Sequence, residues 1–107
     1  MALVLNTNSY VTTTEADSYF STRIDADEYI SAVDTLKEQA LVTATQLIDN
    51  RSWIGIAVSS SQSLAWPRKQ ATYYDPRMGQ DITIAENELP SQVKIAVYEQ
   101  ALHLLQN

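Results

Sequence analysis

The 107-residue chain has no cysteine, two glycines, three prolines and one histidine. Without cysteine, neither a disulfide nor a cysteine-ligated zinc site can stabilise the fold, so stability has to come from packing or assembly. The two glycines, Gly55 and Gly79, are too few for a phosphate-binding loop or a dinucleotide-binding fingerprint. The composition therefore argues against the common nucleotide-dependent enzymes.

Catalytic residues are also scarce. The single histidine, His103, follows Glu99 by one helical turn, a spacing that could hold a metal or orient a general base. With no second histidine or cysteine nearby, we interpret it as a surface or interface residue close to a helix C-terminus. The acidic run at 25–28 lacks the central glycine of a calcium loop, and the serines at 59–61 lack the glycines of a nucleophile elbow. We expect no enzymatic activity, no metal and no cofactor.

The length and the apolar pattern indicate one domain over residues 1–107. The longest apolar runs are only a few residues, and the N-terminus lacks the basic and apolar regions of a signal peptide. We therefore expect neither export nor contact with a membrane.

Charge is unevenly distributed along the chain. The net charge is −6, but residues 51–79 carry four basic side chains against one acidic side chain, while the segments on either side are acidic. Phosphate contacts supply most of the non-specific affinity for nucleic acid, so the overall acidity argues against a dedicated DNA-binding protein. The basic middle of the chain could still contact phosphate locally.

Helical signals dominate both ends of the chain. Thr12 and Glu15 form a capping-box pattern that predicts a helix to about residue 23, and Asp25 with Glu28 repeats the pattern before a short helical turn. Long helices are predicted from Asp34 to about residue 50 and over residues 90–106, where apolar residues recur at helical spacing. The apolar stripe of the first long helix consists of Leu36, Ala40, Leu41, Ala44, Leu47 and Ile48.

Strand-like composition is confined to the middle of the chain. Residues 72–74 and 82–84 are rich in aromatic and β-branched side chains, and they flank a turn at 75–79 that contains proline and glycine. This arrangement predicts a β-hairpin. The predicted fold is mainly α: a small helical bundle of two long and two or three short helices with a small β-hairpin.

Aromatic and cationic side chains alternate between residues 51 and 77, and we call this stretch the aromatic–cationic segment. Its candidate interface residues are Trp53, Trp66, Arg68, Lys69, Tyr73, Tyr74 and Arg77. Such a mixture is used to bind single strands, where stacking contributes about 1–3 kcal/mol per base. It is equally typical of protein interfaces. Alternatively, each tryptophan belongs to the core, and Arg68 then forms either an ion pair with a neighbouring carboxylate or a contact with a partner.

Several short segments, in this order and spacing, resemble one phage family. They are residues 8–11, 15–20, 37–41, 44–45, 48–49, Trp53, Gly55, 62–68, 75–79, 89–90, 93–94 and Ala96. The tryptophan-proline-arginine motif of Gln62 to Arg68 is the most specific of them. The chain resembles the phage head–tail connector (adaptor) family, whose members are often labelled DnaT-like single-stranded-DNA-binding proteins.

The connector resemblance implies a structural subunit of a homo-oligomeric ring of twelve copies in the virion neck, present in the host cytoplasm during assembly. Its implied partners are the portal protein, the tail or stopper proteins and neighbouring copies. Such a ring surrounds double-stranded DNA in transient, non-specific proximity, and an acidic wall would repel the phosphates as the genome passes. The alternative is a single-stranded-DNA-binding accessory protein whose aromatic–cationic segment stacks on bases and neutralises phosphates.

Overall fold

The computed structural model describes residues 3–5, 7–51, 53, 55–59 and 61–106. These residues form four helices and two antiparallel two-stranded sheets. In chain order the elements are α1 Thr13–Phe20, α2 Asp27–Ile30, α3 Asp34–Asp49, β1 Ile56–Ala57, β2 Arg68–Lys69, β3 Thr72–Asp75, β4 Gln80–Thr83 and α4 Ser91–Gln106. The long helices α3 and α4 pack against each other, with α1 against α3 and α2 against α4.

Helix α1 begins where the capping-box pattern of the sequence predicts it. Thr12 Oγ1 accepts a hydrogen bond from the Glu15 backbone N–H at 3.1 Å, and the Glu15 carboxylate accepts one from the Thr12 N–H at 3.0 Å. The predicted capping box is thus confirmed. The second predicted box is wrong, because α2 begins after Ala26, which has no side chain able to cap a helix.

The predicted mainly α bundle is wrong. Helix accounts for 44% and strand for 14% of the described residues, so the fold is mixed α and β. The predicted hairpin is present as β3 and β4, which pair Thr72 with Thr83 and Asp75 with Gln80. The β1–β2 sheet was missed because a two-residue strand is too short to show an alternating pattern.

The β1–β2 sheet depends on a close backbone approach at Gly55. This residue has φ of +79°, and a Cβ atom placed on it would lie 2.4 Å from the carbonyl oxygen of Lys69. The Arg68 guanidinium donates a hydrogen bond to the Gly55 carbonyl oxygen at 2.8 Å. A side chain of β2 thus also holds the residue just before β1. Only glycine combines that φ with so little space.

The core lies between the helices and contains an aromatic cluster. The Phe20 ring lies 4.7 Å from the Tyr29 ring, and the Tyr19 ring stacks on Tyr98 at 4.6 Å. Lys37 is also buried on α3, where its Nζ lies 3.1 Å from the Asp17 carboxylate and 5.2 Å from the centre of the Tyr29 ring. Burial of this ammonium is compatible with folding because it has both an ion-pair and a cation–π partner.

The buried face of α3 is rotated slightly from the predicted stripe. Ala40, Leu41, Ala44 and Ile48 are buried as expected, whereas Leu36 and Leu47 at the edges of the stripe are exposed. In the part of the chain that the structure describes, no helix has the length and apolarity needed to cross a membrane.

We predict that Gly55→Ala destabilises the protein far more than Gly79→Ala. Both glycines have positive φ, but the space around Gly79 is open to 4 Å, whereas a methyl group at Gly55 would overlap the Lys69 carbonyl. Gly79→Ala should cost about 1 kcal/mol from left-handed strain alone, and Gly55→Ala about 3 kcal/mol or more. Urea unfolding followed by circular dichroism measures both, and equal losses would contradict the proposed close approach.

Candidate nucleic-acid interface

A buried hydrogen-bond network fixes the backbone that carries Trp66. The Tyr10 hydroxyl donates to the Asp49 carboxylate at the end of α3 and accepts from the Trp66 backbone N–H at 3.1 Å. The same carboxylate accepts from the Ala65 N–H at 2.9 Å. We call these contacts the Tyr10–Asp49 clamp. Burial, together with the neighbouring Asp49 carboxylate, raises the pKa of the Tyr10 phenol well above its usual range, so the hydroxyl keeps its proton.

The side chains of Gln62 and Arg68 brace the same loop from inside. The Gln62 amide nitrogen lies 2.8–3.0 Å from three backbone carbonyl oxygens, those of Leu64, Ala65 and Pro67. Arg68 donates to the carbonyl oxygens of Ala65 at 3.2 Å and Gly55 at 2.8 Å. The peptide bond between Trp66 and Pro67 is cis. In this position the Arg68 guanidinium supports the backbone, and its role as a partner contact stays a prediction.

The two tryptophans lie against each other. Their ring centres are 5.5 Å apart and their planes meet at 78°, an edge-to-face arrangement. Trp66 is buried and Trp53 is half-buried. The nitrogen of each indole is buried, and within the described residues neither N–H has a hydrogen-bond partner. A buried donor left unpaired costs about 1–3 kcal/mol, so each unpaired indole N–H requires an explanation.

An apolar cavity of about 160 Å³ lies beside the tryptophan pair. Its walls come from the tryptophans, from β3 and the residue that follows β4, and from the start of α4. The lining residues are Trp53, Trp66, Thr72, Tyr73, Ile84, Pro90, Gln92 and Val93. Trp66 also borders a larger cleft of about 580 Å³, whose walls include Glu15 and Lys94.

The two tyrosines of the segment lie on opposite faces of the hairpin. Tyr73 pairs across the sheet with Ile82, and Tyr74 pairs with Asp81. Because successive strand residues point to opposite faces, Tyr73 faces the cavity while Tyr74 points away from it. Tyr73 is 36% exposed and Tyr74 is 62% exposed. The tryptophans and Tyr73 therefore form one aromatic surface, and Tyr74 forms a separate one.

Cations elsewhere in the molecule are already neutralised. Arg23 forms ion pairs with Asp25 and Glu99, Lys37 with Asp17, and Lys94 with Glu15. In the described ranges, no ion pair joins a carboxylate to Arg51, Lys69 or Arg77. Sequence reasoning left Arg51 out of the candidate set, although it belongs to the same basic stretch. Among the described residues, three cations without an ion pair to a carboxylate, Arg51, Lys69 and Arg77, therefore lie in the aromatic–cationic segment.

Two carboxyl groups with shifted pKa values, those of Glu15 and Glu99, form contacts between helices. For Glu15, burial alone would raise the carboxyl pKa, but hydrogen bonds from Lys94 and from the Thr12 backbone lower it overall. The Arg23 guanidinium lowers the pKa of Glu99, which also accepts a hydrogen bond from Tyr19 at 2.6 Å. These carboxylates connect α1 to α4. Among the described residues, no cluster of three or more histidine, cysteine, aspartate or glutamate side chains is placed to hold a metal ion.

We predict that Tyr10→Phe destabilises the protein by about 1–3 kcal/mol. The substitution removes one hydroxyl and leaves the buried Trp66 N–H without its acceptor. Tyr74→Phe removes the same atom from an exposed ring, and its effect should stay within about 0.5 kcal/mol. Urea unfolding compares the two variants, and the near-ultraviolet circular dichroism of the tryptophans should change only in Tyr10→Phe. Equal stability of the two variants would contradict the clamp.

The chain was compared with known protein families, with curated proteins and with solved structures. The family described as "Putative DnaT-like ssDNA binding protein" matches residues 2–107. The comparisons with curated proteins and with solved structures gave no significant match. The DnaT-like part of the resemblance is thus confirmed, whereas the connector part stays a prediction without support from these comparisons. Because the match spans almost the whole chain, the protein belongs to this DnaT-like family.

Proposed function

We propose that this protein binds single-stranded DNA as a non-catalytic accessory protein, using the aromatic–cationic segment. One observation carries the proposal: Lys69 and Arg77, which form no ion pair with a carboxylate of the described residues, lie in the same stretch as the exposed tyrosines. Single-strand binding requires both groups, because aromatic rings stack on bases and cations track the phosphates. The family match supports the same function.

The hairpin supplies the contact surface. Tyr74 offers an exposed ring on one face, and Tyr73 offers a partly exposed ring on the other. Lys69 lies just before β3, and Arg77 lies in the turn between β3 and β4. A single DNA strand that crosses the hairpin would therefore contact a cation near each end of the hairpin and an aromatic ring between them.

The charge distribution limits the affinity. With a net charge of −6, the protein repels phosphate at long range, so stacking rather than electrostatic attraction dominates binding. Each phosphate contact with a single strand contributes about −0.7 to the slope of log K against log salt. If Lys69 and Arg77 each neutralise one phosphate, the slope is about −1.4.

We predict that a fluorescein-labelled single-stranded oligonucleotide binds the protein at about 50 mM salt. Tyr74→Ala should weaken this binding at least about fivefold, because stacking contributes about 1–3 kcal/mol per base. Fluorescence anisotropy measures the dissociation constant across a salt series. Ile24→Ala is the matched control, because it truncates a side chain that is 97% exposed and lies outside the hairpin. The control should bind like the unmodified protein.

Two outcomes of the anisotropy titration contradict the proposal. Absence of salt-sensitive binding at about 50 mM salt would exclude phosphate-assisted recognition. Equal weakening by Tyr74→Ala and Ile24→Ala would show that the hairpin is not the contact surface. Arg77→Gln should reduce the salt slope by about 0.7 while leaving the fold intact.

A second candidate function is that of a subunit in the neck ring. Exposed apolar side chains that are distant in sequence from the hairpin favour it. Ile24 is 97% exposed and Val33 is 69% exposed. Both lie in the connections around α2, and acidic residues surround them in the sequence. Exposed apolar side chains that lie together in one contiguous patch are typical of protein contacts. In this candidate function they would contact neighbouring copies, the portal or the tail and stopper proteins.

For the ring function, we predict that the protein co-elutes with the portal protein in size-exclusion chromatography with light scattering. Ile24→Asp should abolish the complex, because it places a charge in the apolar contact. Thr83→Asp makes a similar charge change at an exposed position of β4 and should leave the complex intact. Failure to bind the portal at any concentration contradicts the ring function and leaves the DNA titration unaffected.

A further inference from the structure

Four large apolar side chains are exposed in the short stretch around α2. They are Ile24, Ile30, Val33 and Leu36, with exposures from 44% to 97%. The last three follow one another at intervals of three residues, which a chain spans in at most about 11 Å. Single exposed apolar residues are ordinary, whereas several close together indicate a contact surface. We call residues 24–36 the α2 surface.

Ile24 is 97% exposed and lies beside residues that are themselves held in place. Arg23 forms ion pairs with Glu99 on α4 and with Asp25, and its backbone N–H donates to the Phe20 carbonyl oxygen at 3.0 Å. The Ile24 side chain therefore projects from a supported backbone, yet it contacts almost nothing in its own molecule. Its apolar surface is available to another molecule.

The α2 surface is acidic. It carries Asp25, Asp27, Glu28 and Asp34 and has no basic residue. In the part of the chain that the structure describes, the last three of these carboxylates form no ion pair. A complementary surface therefore has to combine an apolar depression with cations around it.

The apolar cavity beside the tryptophan pair supplies the depression. Its volume is about 160 Å³, and its walls are almost entirely apolar. Apolar cavities of about 150 Å³ in other proteins hold a molecule of benzene, so there is room for the smaller side chain of isoleucine. Tyr73 in the wall is 36% exposed, so the cavity is reachable from solvent. An aliphatic side chain needs no hydrogen bond there, which suits walls without polar groups.

Cations lie close to the cavity walls. Arg51 precedes the wall residue Trp53 by two positions, and Lys69 precedes the wall residue Thr72 by three. Chain geometry keeps the Cα atoms of these pairs within about 7 and 11 Å of each other. Among the described residues, neither cation forms an ion pair with a carboxylate. The cavity and the α2 surface therefore have matching apolar centres and opposite charge.

We propose that the α2 surface of one molecule docks on the apolar cavity of a second copy, with the Ile24 side chain inserted. The acidic residues around Ile24 then face Arg51 and Lys69 of that copy. Both halves of the contact lie on every chain, and the exposure of Ile24 shows that they do not meet within one molecule. The contact is therefore head-to-tail, and its repetition produces a ring or a filament. This inference goes beyond the proposed function and does not rest on DNA binding.

Sedimentation velocity of the protein alone tests the contact. We expect the weight-average mass to rise with protein concentration up to about 1 mM. Ile24→Ala should weaken self-association at least about tenfold, because most of the side chain leaves the apolar contact. Leu47→Ala is the matched control, since it truncates a side chain of similar size that is 46% exposed on α3. The control should associate like the unmodified protein.

Gln92 tests the charge complementarity, because it is an exposed residue of the cavity wall. Gln92→Glu keeps the size of the side chain and places a negative charge opposite the acidic α2 surface. Self-association should therefore weaken about threefold, whereas Gln92→Lys should not weaken it. Equal effects of the two substitutions would overturn the assignment of the cavity as the docking site.

A mixing experiment tests the head-to-tail geometry. Ile24→Ala leaves the cavity intact, whereas Tyr73→Ala removes part of the cavity wall and leaves the α2 surface intact. Each variant alone should be mainly monomeric, and an equimolar mixture should form a dimer and nothing larger. A mixture no heavier than its components would overturn the inference. An unmodified protein that stays monomeric at about 1 mM would also overturn it, assign both surfaces to other partners and leave the DNA titration unaffected.

Discussion

The structure depends on the hydrogen bonds that Asp49 receives from Tyr10 and from the backbone at Ala65. These contacts join the N-terminal part of the chain, the end of α3 and the irregular loop before β2. The N–H groups of Ala65 and Trp66 lie outside helix and strand, so they need side-chain acceptors to be buried at acceptable cost. Asp49 and Tyr10 supply those acceptors, and the low dielectric of the interior strengthens the network.

The Tyr10–Asp49 clamp holds Trp66 in place and thereby fixes the positions of the aromatic side chains around it. Trp53 packs edge-to-face on Trp66, and Tyr73 completes the wall of the cavity beside them. The residues most specific to the family resemblance, including Gln62 and Arg68, hydrogen-bond the backbone of the loop itself. The motif thus builds the scaffold, while in the proposed function recognition falls to the hairpin that follows it.

The helices were predictable because helical spacing and the Thr12 cap are local signals. The β1–β2 sheet was not predictable, because its two-residue strands are held by tertiary features: the positive φ of Gly55 and the contacts of Arg68. Burial of Lys37 was likewise not predictable, because its partners lie on other helices. The sequence indicated the aromatic–cationic segment as a group. Which rings face the cavity, and which indole N–H groups lack partners, follows only from three-dimensional packing.

The central claim is that single-stranded DNA contacts the aromatic–cationic segment and leaves the surface around Ile24 and Val33 untouched. Chemical-shift mapping of the ¹⁵N-labelled protein with a thymidine oligonucleotide tests this claim most directly. The account predicts that the largest changes occur at the amides of residues 69–75 and of Arg77. Changes confined to residues 24–36, or no change at saturating oligonucleotide, would contradict it.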